Sequence, residues 1–145
     1  MKAAVHFVAS AILAASLYPI FGLKALLIFA GGFLIDIDHY LWYIYKYRNL
    51  SLSDCYGHYM IQVERNDFTL NNGILLIFHT AEFLTAIAVI ALFSQYVIIF
   101  SIGLLSHYLL DLIWHIAVPK RVIANHSILW WLIKNRWKFK KFKYG

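Results

Sequence analysis

Four stretches of the chain are apolar over about twenty residues each, the length that a helix needs to cross the hydrocarbon core of a membrane. They cover residues 3–18, 23–45, 73–93 and 96–118. Each stretch also contains histidine or acidic residues, which are costly in hydrocarbon and mark a functional site by default. The pattern predicts an all-α membrane protein, a bundle of four transmembrane helices with a polar site inside it.

The composition agrees with a membrane protein. Hydrophobic residues make up 62% of the chain and charged residues 14%, whereas soluble domains are about 45–50% apolar and about 25% charged. The length of 145 residues suits one compact unit. We expect a transmembrane metal-site domain over residues 1–118 and a basic, aromatic interfacial tail over residues 119–145. The single cysteine, Cys55, cannot form an internal disulfide.

The first apolar stretch has an alternative interpretation as a secretory signal peptide, because Lys2 precedes an apolar run that ends near small residues. His6 inside that run argues against it. A second apolar stretch also follows directly after Pro19 and Gly22, as a helical hairpin requires. We therefore interpret the first stretch as a membrane span.

The distribution of Lys and Arg predicts the orientation. Four crossings place both termini and the polar loop 48–72 on one side, together with every Lys and Arg except Lys24. The positive-inside rule then predicts a multi-pass protein of the cell membrane, an inner membrane in bacteria, with both termini cytoplasmic. In the tail, tryptophans such as Trp130 and Trp137 alternate with lysines, which is typical of an amphipathic helix lying on anionic lipid. We expect membrane lipid as the partner of this segment and no nucleic acid.

The polar residues of the four spans converge on one level. His6 begins span one, Asp36, Asp38 and His39 end span two, His79 and Glu82 begin span three, and His107 and Asp111 lie late in span four. All of these positions fall in the cytoplasmic halves. Spacings of three or four residues place His79 with Glu82, His107 with Asp111, and Asp36 with His39 on shared helix faces. Asp38 would face away from Asp36 unless the helix unwinds there, or unless Asp38 orients a ligand histidine.

Imidazole and carboxylate without thiolate suit a divalent transition metal, zinc first, with manganese or iron as alternatives. One or two ions are compatible with so many candidates, and a metal-activated water could attack a phosphorus or carbonyl centre. Glu82 is a candidate general base or further ligand, and Asp38 is a candidate catalytic residue or ligand. His115 could join the site or lie at the interface, whereas His58 and His126 are expected to be solvated. The predicted metal ligands are His6, Asp36, Asp38, His39, His79, Glu82, His107 and Asp111.

Two motifs resemble those of a known family. Residues 31–39, Gly-Gly-Phe-Leu-Ile-Asp-Ile-Asp-His, resemble the Gly-x-Leu-Leu-Pro-Asp-Ile-Asp-His stretch of small bacterial and archaeal membrane-bound metal-dependent hydrolases. Residues 103–111, Gly-Leu-Leu-Ser-His-Tyr-Leu-Leu-Asp, resemble that family's Gly-Tyr-Leu-Ser-His-Leu-Leu-Leu-Asp helix. His6 and His79-Thr80 match an early histidine and a His-Ser element, while Ile35 stands in place of a proline and the His-Arg-Gly element is missing. The resemblance implies metal-dependent hydrolysis, with more distant similarity to zinc-dependent phospholipases C.

Depth and ligand type together predict hydrolysis of a lipid-borne phosphoester at the cytoplasmic leaflet. The alternative is a non-enzymatic membrane protein with a metal or proton-transfer site, either a transporter or a structural partner. A transporter would need polar residues in the other halves of the spans, which contain no Asp, Glu or His. A di-iron lipid desaturase would need closely spaced histidines such as His-x-x-His-His, which the sequence lacks. Haem ligation by His79 and His107 is a further alternative.

Overall fold

The computed structural model describes residues 2–65, 74–117 and 126–141, with side chains through residue 134. The described elements are helices, which confirms the predicted all-α class. They are α1 (Ala3–Phe21), α2 (Leu26–Phe33), α3 (Ile37–Tyr47), α4 (Leu52–Arg65), α5 (Ala81–Ala91), α6 (Gln95–Ala117) and α7 (Ile128–Lys141). Short 3-10 turns precede α2, α3 and α5.

Helices α1 and α2 form an antiparallel hairpin. Helix α1 continues past Pro19 to Phe21, so the break lies later than the proline. The chain reverses at Gly22, whose φ of 56° is readily adopted by glycine. Ala14 of α1 then packs with Ala25 and Ile28 in the apolar core of the hairpin.

Helices α2 and α6 cross in backbone contact, with glycines at the crossing. A Cβ atom added to Gly103 would collide with the carbonyl oxygen of Ile28, and one added to Gly31 would collide with that of Phe100. Only glycine lets two helices approach this closely. Lys24, just before α2, lies over the ring of Tyr96 at the start of α6, and the Gly32 carbonyl meets His107 further along α6, so α2 and α6 run parallel. The ends of these two helices that carry the polar motifs therefore lie at the same end of the molecule.

Two parts of the described chain are long and apolar enough to cross a membrane. These are the helical stretch Ala3–Tyr47, which contains the hairpin, and Gln95–Ala117. The predicted span 73–93 is helical over a shorter length, because Thr80 caps α5 by accepting a hydrogen bond from the Phe83 N–H at 3.3 Å. Helix α5 is about 16 Å long at about 1.5 Å per residue, against a hydrocarbon thickness of about 30 Å. Length and composition thus support two candidate spans, and four complete crossings remain a prediction.

The sequence interpretation missed helix α4 within the predicted polar loop. Arg48 ends α3 in the left-handed conformation, with φ of 53°. Ser51 then accepts a hydrogen bond from the Asp54 N–H at 3.1 Å, as residues that begin helices do. Helix α4 covers one side of the polar cluster, and α7 confirms a helix within the described part of the predicted tail.

Candidate metal centre

Two histidine rings face each other at the centre of the polar cluster. The Nε2 atoms of His79, just before α5, and His107, in α6, are 3.1 Å apart. The His107 side chain is fully buried, and its Nδ1 lies 2.9 Å from the carbonyl oxygen of Gly32. Since a carbonyl oxygen only accepts hydrogen bonds, Nδ1 carries the proton. In the neutral ring, Nε2 then directs its lone pair towards His79.

His79 is held in the same manner. Its Nδ1 lies 2.9 Å from Oδ2 of Asp38, a carboxylate that accepts the proton of the ring. The Nε2 atom of His79 therefore also presents a lone pair in the neutral ring. Two lone pairs that face each other at 3.1 Å repel unless a positive charge lies between or beside them. A histidine bound through one nitrogen to a carboxylate or carbonyl is the usual arrangement of a metal ligand.

Two carboxylates complete the group around these nitrogens. Oδ1 of Asp36 lies 3.6 Å from Nε2 of His107 and 3.9 Å from Nε2 of His79. Oδ2 of Asp111 lies 3.4 Å and 3.8 Å from the same two atoms. Corners of a tetrahedron around a metal are about 3.3 Å apart when each bond is about 2.0 Å. The five separations that involve the two Nε2 atoms, 3.1–3.9 Å, are close to that value, and Asp36, His79 and His107 form a group that could hold a metal ion.

His6 and Asp111 extend the site towards α1. Nε2 of His6 lies 3.3 Å from Oδ1 of Asp111, on the oxygen that does not face His79. The His6 ring stacks on the His107 ring with centroids 4.0 Å apart. The three residues also form a group whose ligand atoms lie within 4.8 Å of one another. Within the described chain, Nδ1 of His6 is buried without a hydrogen-bond partner.

Asp36 and Asp38 both reach the histidines, although they are two residues apart. A 3-10 turn, Leu34–Asp36, interrupts the helix here even though Ile35 replaces a proline. Asp36 approaches Nε2 of His79, whereas Asp38 approaches Nδ1 on the other side of the ring. Asp38 is therefore placed to orient His79, one of the two roles predicted for it. It also belongs to a second group that could hold a metal ion, with His39 and His79.

His39 occupies the side of the site next to α4. Its Nδ1 lies 3.0 Å from Oδ1 of Asp38, so this carboxylate serves two histidine rings. The backbone carbonyl of His39 accepts a hydrogen bond at 3.1 Å from the hydroxyl of Tyr59 in α4. Burial raises the pKa of the Tyr59 phenol, so Tyr59 remains a donor across the working pH range. Helix α4 is attached to the site through this bond.

The turn Ile77–His79 is fixed by three side chains that the sequence interpretation did not assign to it. Asp38 accepts the Phe78 N–H at 3.2 Å, and the Tyr108 hydroxyl donates to the Phe78 carbonyl. Thr80, fully buried, donates to the Ile77 carbonyl at 2.8 Å. The first two bonds join residues 40 and 30 positions apart in the chain, so no local spacing could have revealed them. A threonine immediately before an apolar helical stretch was the sequence signal available for the third.

Glu82 does not join the histidines, contrary to the prediction that it is a ligand or general base beside His79. Its carboxylate accepts hydrogen bonds from the Ser127 hydroxyl at 2.6 Å, from Ile128 N–H at 3.1 Å and from Leu129 N–H at 3.2 Å. The carboxylate thus caps the N-terminus of α7, where negative charge is favourable. Helical spacing placed Glu82 near His79, but His79 precedes the start of α5, so the two are not on one continuous helix.

The site opens into a cavity of about 540 Å³ beside α4. Asp36, His39, His79 and Asp111 contribute to its lining. His115 and His126 also line it, and His126 is exposed, as expected for a solvated residue. His58 lies outside the cavity, on the aromatic face formed with Tyr43 and Tyr47. The structure therefore brings the predicted ligands other than Glu82 together in one cluster, and four of them line this opening.

The comparisons with known proteins give no match: no family model, no curated protein and no solved structure is similar to the chain. The geometry of the site is consequently the main support for any function.

Proposed function

We propose that the protein is a membrane-embedded metal-dependent hydrolase. The observation that carries the proposal is the pair of His79 and His107, whose Nε2 atoms are 3.1 Å apart while their Nδ1 atoms are hydrogen-bonded elsewhere. With Asp36 and Asp111 they would hold one divalent ion. Zinc fits two imidazoles and two carboxylates best, and manganese or iron are alternatives. A second ion would use the group of Asp38, His39 and His79 or that of His6, His107 and Asp111.

The residues around this position have separable roles. A divalent ion supplies an acidified water and stabilises negative charge that develops on the scissile group. Asp38 and the Gly32 carbonyl fix the ring orientation of His79 and His107, and His6 fixes Asp111. His39 lines the cavity, and its Nδ1 is bonded to Asp38, which places its ring for proton transfer to or from a substrate. We assign the general acid–base role to His39, with Asp38 positioning it, in place of Glu82.

A lipid-borne phosphoester is the substrate class that fits the placement of the site. The cluster lies at the end of α2 and α6 that the positive-inside rule assigns to the cytoplasm. The multi-pass topology, the cytoplasmic termini and the resemblance to membrane-bound metal-dependent hydrolases are part of this proposal. The Lys- and Trp-rich α7 would lie on anionic lipid beside the site.

The test is elemental analysis combined with a hydrolysis assay. Protein purified without chelator is expected to contain about one or two transition-metal ions per chain and to release phosphate from lipid phosphoesters. His107→Ala and Asp111→Ala should lose both properties. His58→Ala is the matched control, because His58 is partly buried but lies outside the cluster. Metal-free wild-type protein, or variants at His107 and Asp111 that keep full metal content, would refute the proposal.

A proton-transfer site without metal is the second candidate. The separation of 3.1 Å between the two Nε2 atoms also matches an N–H···N hydrogen bond through one shared proton. The two nearby carboxylates would stabilise that proton. Under this alternative the purified protein lacks metal, and added zinc leaves its thermal stability unchanged.

A further inference from the structure

The cavity beside the candidate metal centre has a polar end and apolar walls. Asp36, His39, His79 and Asp111 form the polar end. Phe33, Leu34 and Ile37 line one wall and come from the α2–α3 junction. Met60 and Val63 of α4 and Leu76 line the other parts. A compartment of this kind favours a ligand with a polar head and an apolar body.

Basic side chains from other segments also line the cavity. Lys2 precedes α1, His115 lies in the last turn of α6, and His126 precedes α7. They come from three separate segments and meet only through the fold. Two contacts hold the segment that contains His126 in place. The Ala81 N–H donates to the His126 carbonyl at 2.8 Å, and the Glu82 carboxylate caps α7. Positive groups beside a polar end complement an anionic headgroup.

The cavity volume limits the apolar part of the ligand. About 540 Å³ lies within the range of about 300–1,000 Å³ found for small-molecule sites. A methylene group is similar in size to a water molecule, which occupies about 30 Å³ in the liquid, so the cavity holds roughly 18 such groups. One chain with its headgroup fits this space. Two full acyl chains with a headgroup do not.

We propose that this cavity binds a phosphate-type headgroup carried on a single apolar chain, with the head at the histidine–aspartate end and the chain between α4 and the α2–α3 junction. This inference rests on the proposed hydrolase function and narrows its substrate class. The single apolar chain can be either a straight alkyl chain or a branched isoprenoid chain. A two-chain phospholipid is too large to enter the cavity completely.

Native mass spectrometry of the full-length protein tests the proposal, because one spectrum counts bound metal and bound lipid separately. Dodecylphosphonate is a suitable probe, since its C–P bond is not hydrolysed, and butylphosphonate, farnesylphosphonate and dipalmitoyl phosphatidic acid are the comparisons. Each buried methylene strengthens binding by about fourfold. Dodecylphosphonate should therefore bind one per chain and at least about tenfold more tightly than butylphosphonate. Phosphatidic acid should bind more weakly than dodecylphosphonate, and the stronger of the dodecyl and farnesyl probes identifies the chain type.

Adjacent residues on α4 supply a matched pair of variants. Met60 lines the cavity, whereas Ile61 is 50% exposed and does not line it. Met60→Trp fills the cavity and should reduce dodecylphosphonate binding by at least about tenfold while metal content stays the same. Ile61→Trp should bind like the wild type. Equal binding by both variants, or equal binding of butyl and dodecyl probes, overturns the single-chain proposal, whereas loss of metal in the wild type refutes the hydrolase proposal instead.

Discussion

Asp38 lies 2.9 Å from the Nδ1 atom of His79, a residue 41 positions further along the chain. The same carboxylate holds Nδ1 of His39 at 3.0 Å and the Phe78 N–H at 3.2 Å. Only 4% of the Asp38 side chain is exposed, so solvent cannot replace these partners. Asp38 thus connects α3 to the turn before α5 and sets the orientation of two rings of the site.

Asp38→Asn tests whether this carboxylate orients a metal ligand. The amide keeps the volume of the side chain but removes the charge that holds the His79 proton. We expect metal affinity to fall by about 10–100-fold, the usual cost of losing an outer hydrogen-bond partner. Competition with a chromogenic chelator measures the affinity. Asp54→Asn, on the exposed face of α4, should leave it unchanged, and an unaltered affinity in Asp38→Asn would remove Asp38 from the site.

Glu82→Gln tests whether the Glu82 carboxylate caps α7 or binds a metal ion. The neutral amide weakens the cap on α7, so the amide protons of Ile128 and Leu129 should exchange faster with deuterium. Metal content should stay at the wild-type value. Hydrogen exchange and elemental analysis of one preparation give both readouts, with Glu64→Gln as the control. Loss of metal without faster exchange would restore the ligand role that the sequence predicted.

Gly103→Ala should disrupt the crossing of α2 and α6. The added Cβ collides with the Ile28 carbonyl, a backbone atom that cannot rotate away. Overpacking of this kind costs about 1–3 kcal/mol or more. Gly57→Ala is the opposite case, because no heavy atom lies within 4 Å of its added Cβ and alanine favours the helix by about 0.5–1 kcal/mol. Thermal unfolding in detergent should therefore shift down for Gly103→Ala and not for Gly57→Ala.

Removal of metal should destabilise the wild type. A ligand present at a hundred times its dissociation constant adds about 2.7 kcal/mol to the stability of the folded state. A strong chelator should lower the melting temperature, and added zinc should restore it. His107→Ala should not respond to either addition. A chelator response that persists in His107→Ala would place the bound metal elsewhere.

The sequence predicted the composition of the cluster better than its connections. Polar residues at one depth of four apolar stretches, such as His6, Asp36 and His107, indicated that they would meet. Helical spacing then succeeded for His107 and Asp111, which lie on one continuous helix, with Nε2 and Oδ2 3.4 Å apart. It failed for His79 and Glu82, because the helix begins only after Thr80.

Other parts of the fold depend on contacts that a sequence pattern does not encode. Helix α4 lies in the predicted polar loop, because polar residues such as Asp54, His58 and Glu64 are interleaved with its apolar residues and marked the segment as a loop. The Gly32 carbonyl has no side chain to mark it. The bond from Tyr108 to Phe78 joins positions 30 residues apart in the chain. These features depend on how α2, α5 and α6 pack against one another in the folded protein.

Backbone contact between α2 and α6 would make the affinity of the proposed metal site depend on the angle between these two helices. Nδ1 of His107 donates a hydrogen bond to the Gly32 carbonyl, a backbone atom that no side-chain replacement can remove. The glycines at the crossing leave no side chains between the two helix backbones. Bilayer thickness changes how such rods tilt. If the proposed metal site is correct, its affinity should therefore change in lipid vesicles of graded chain length, with no mutation at all.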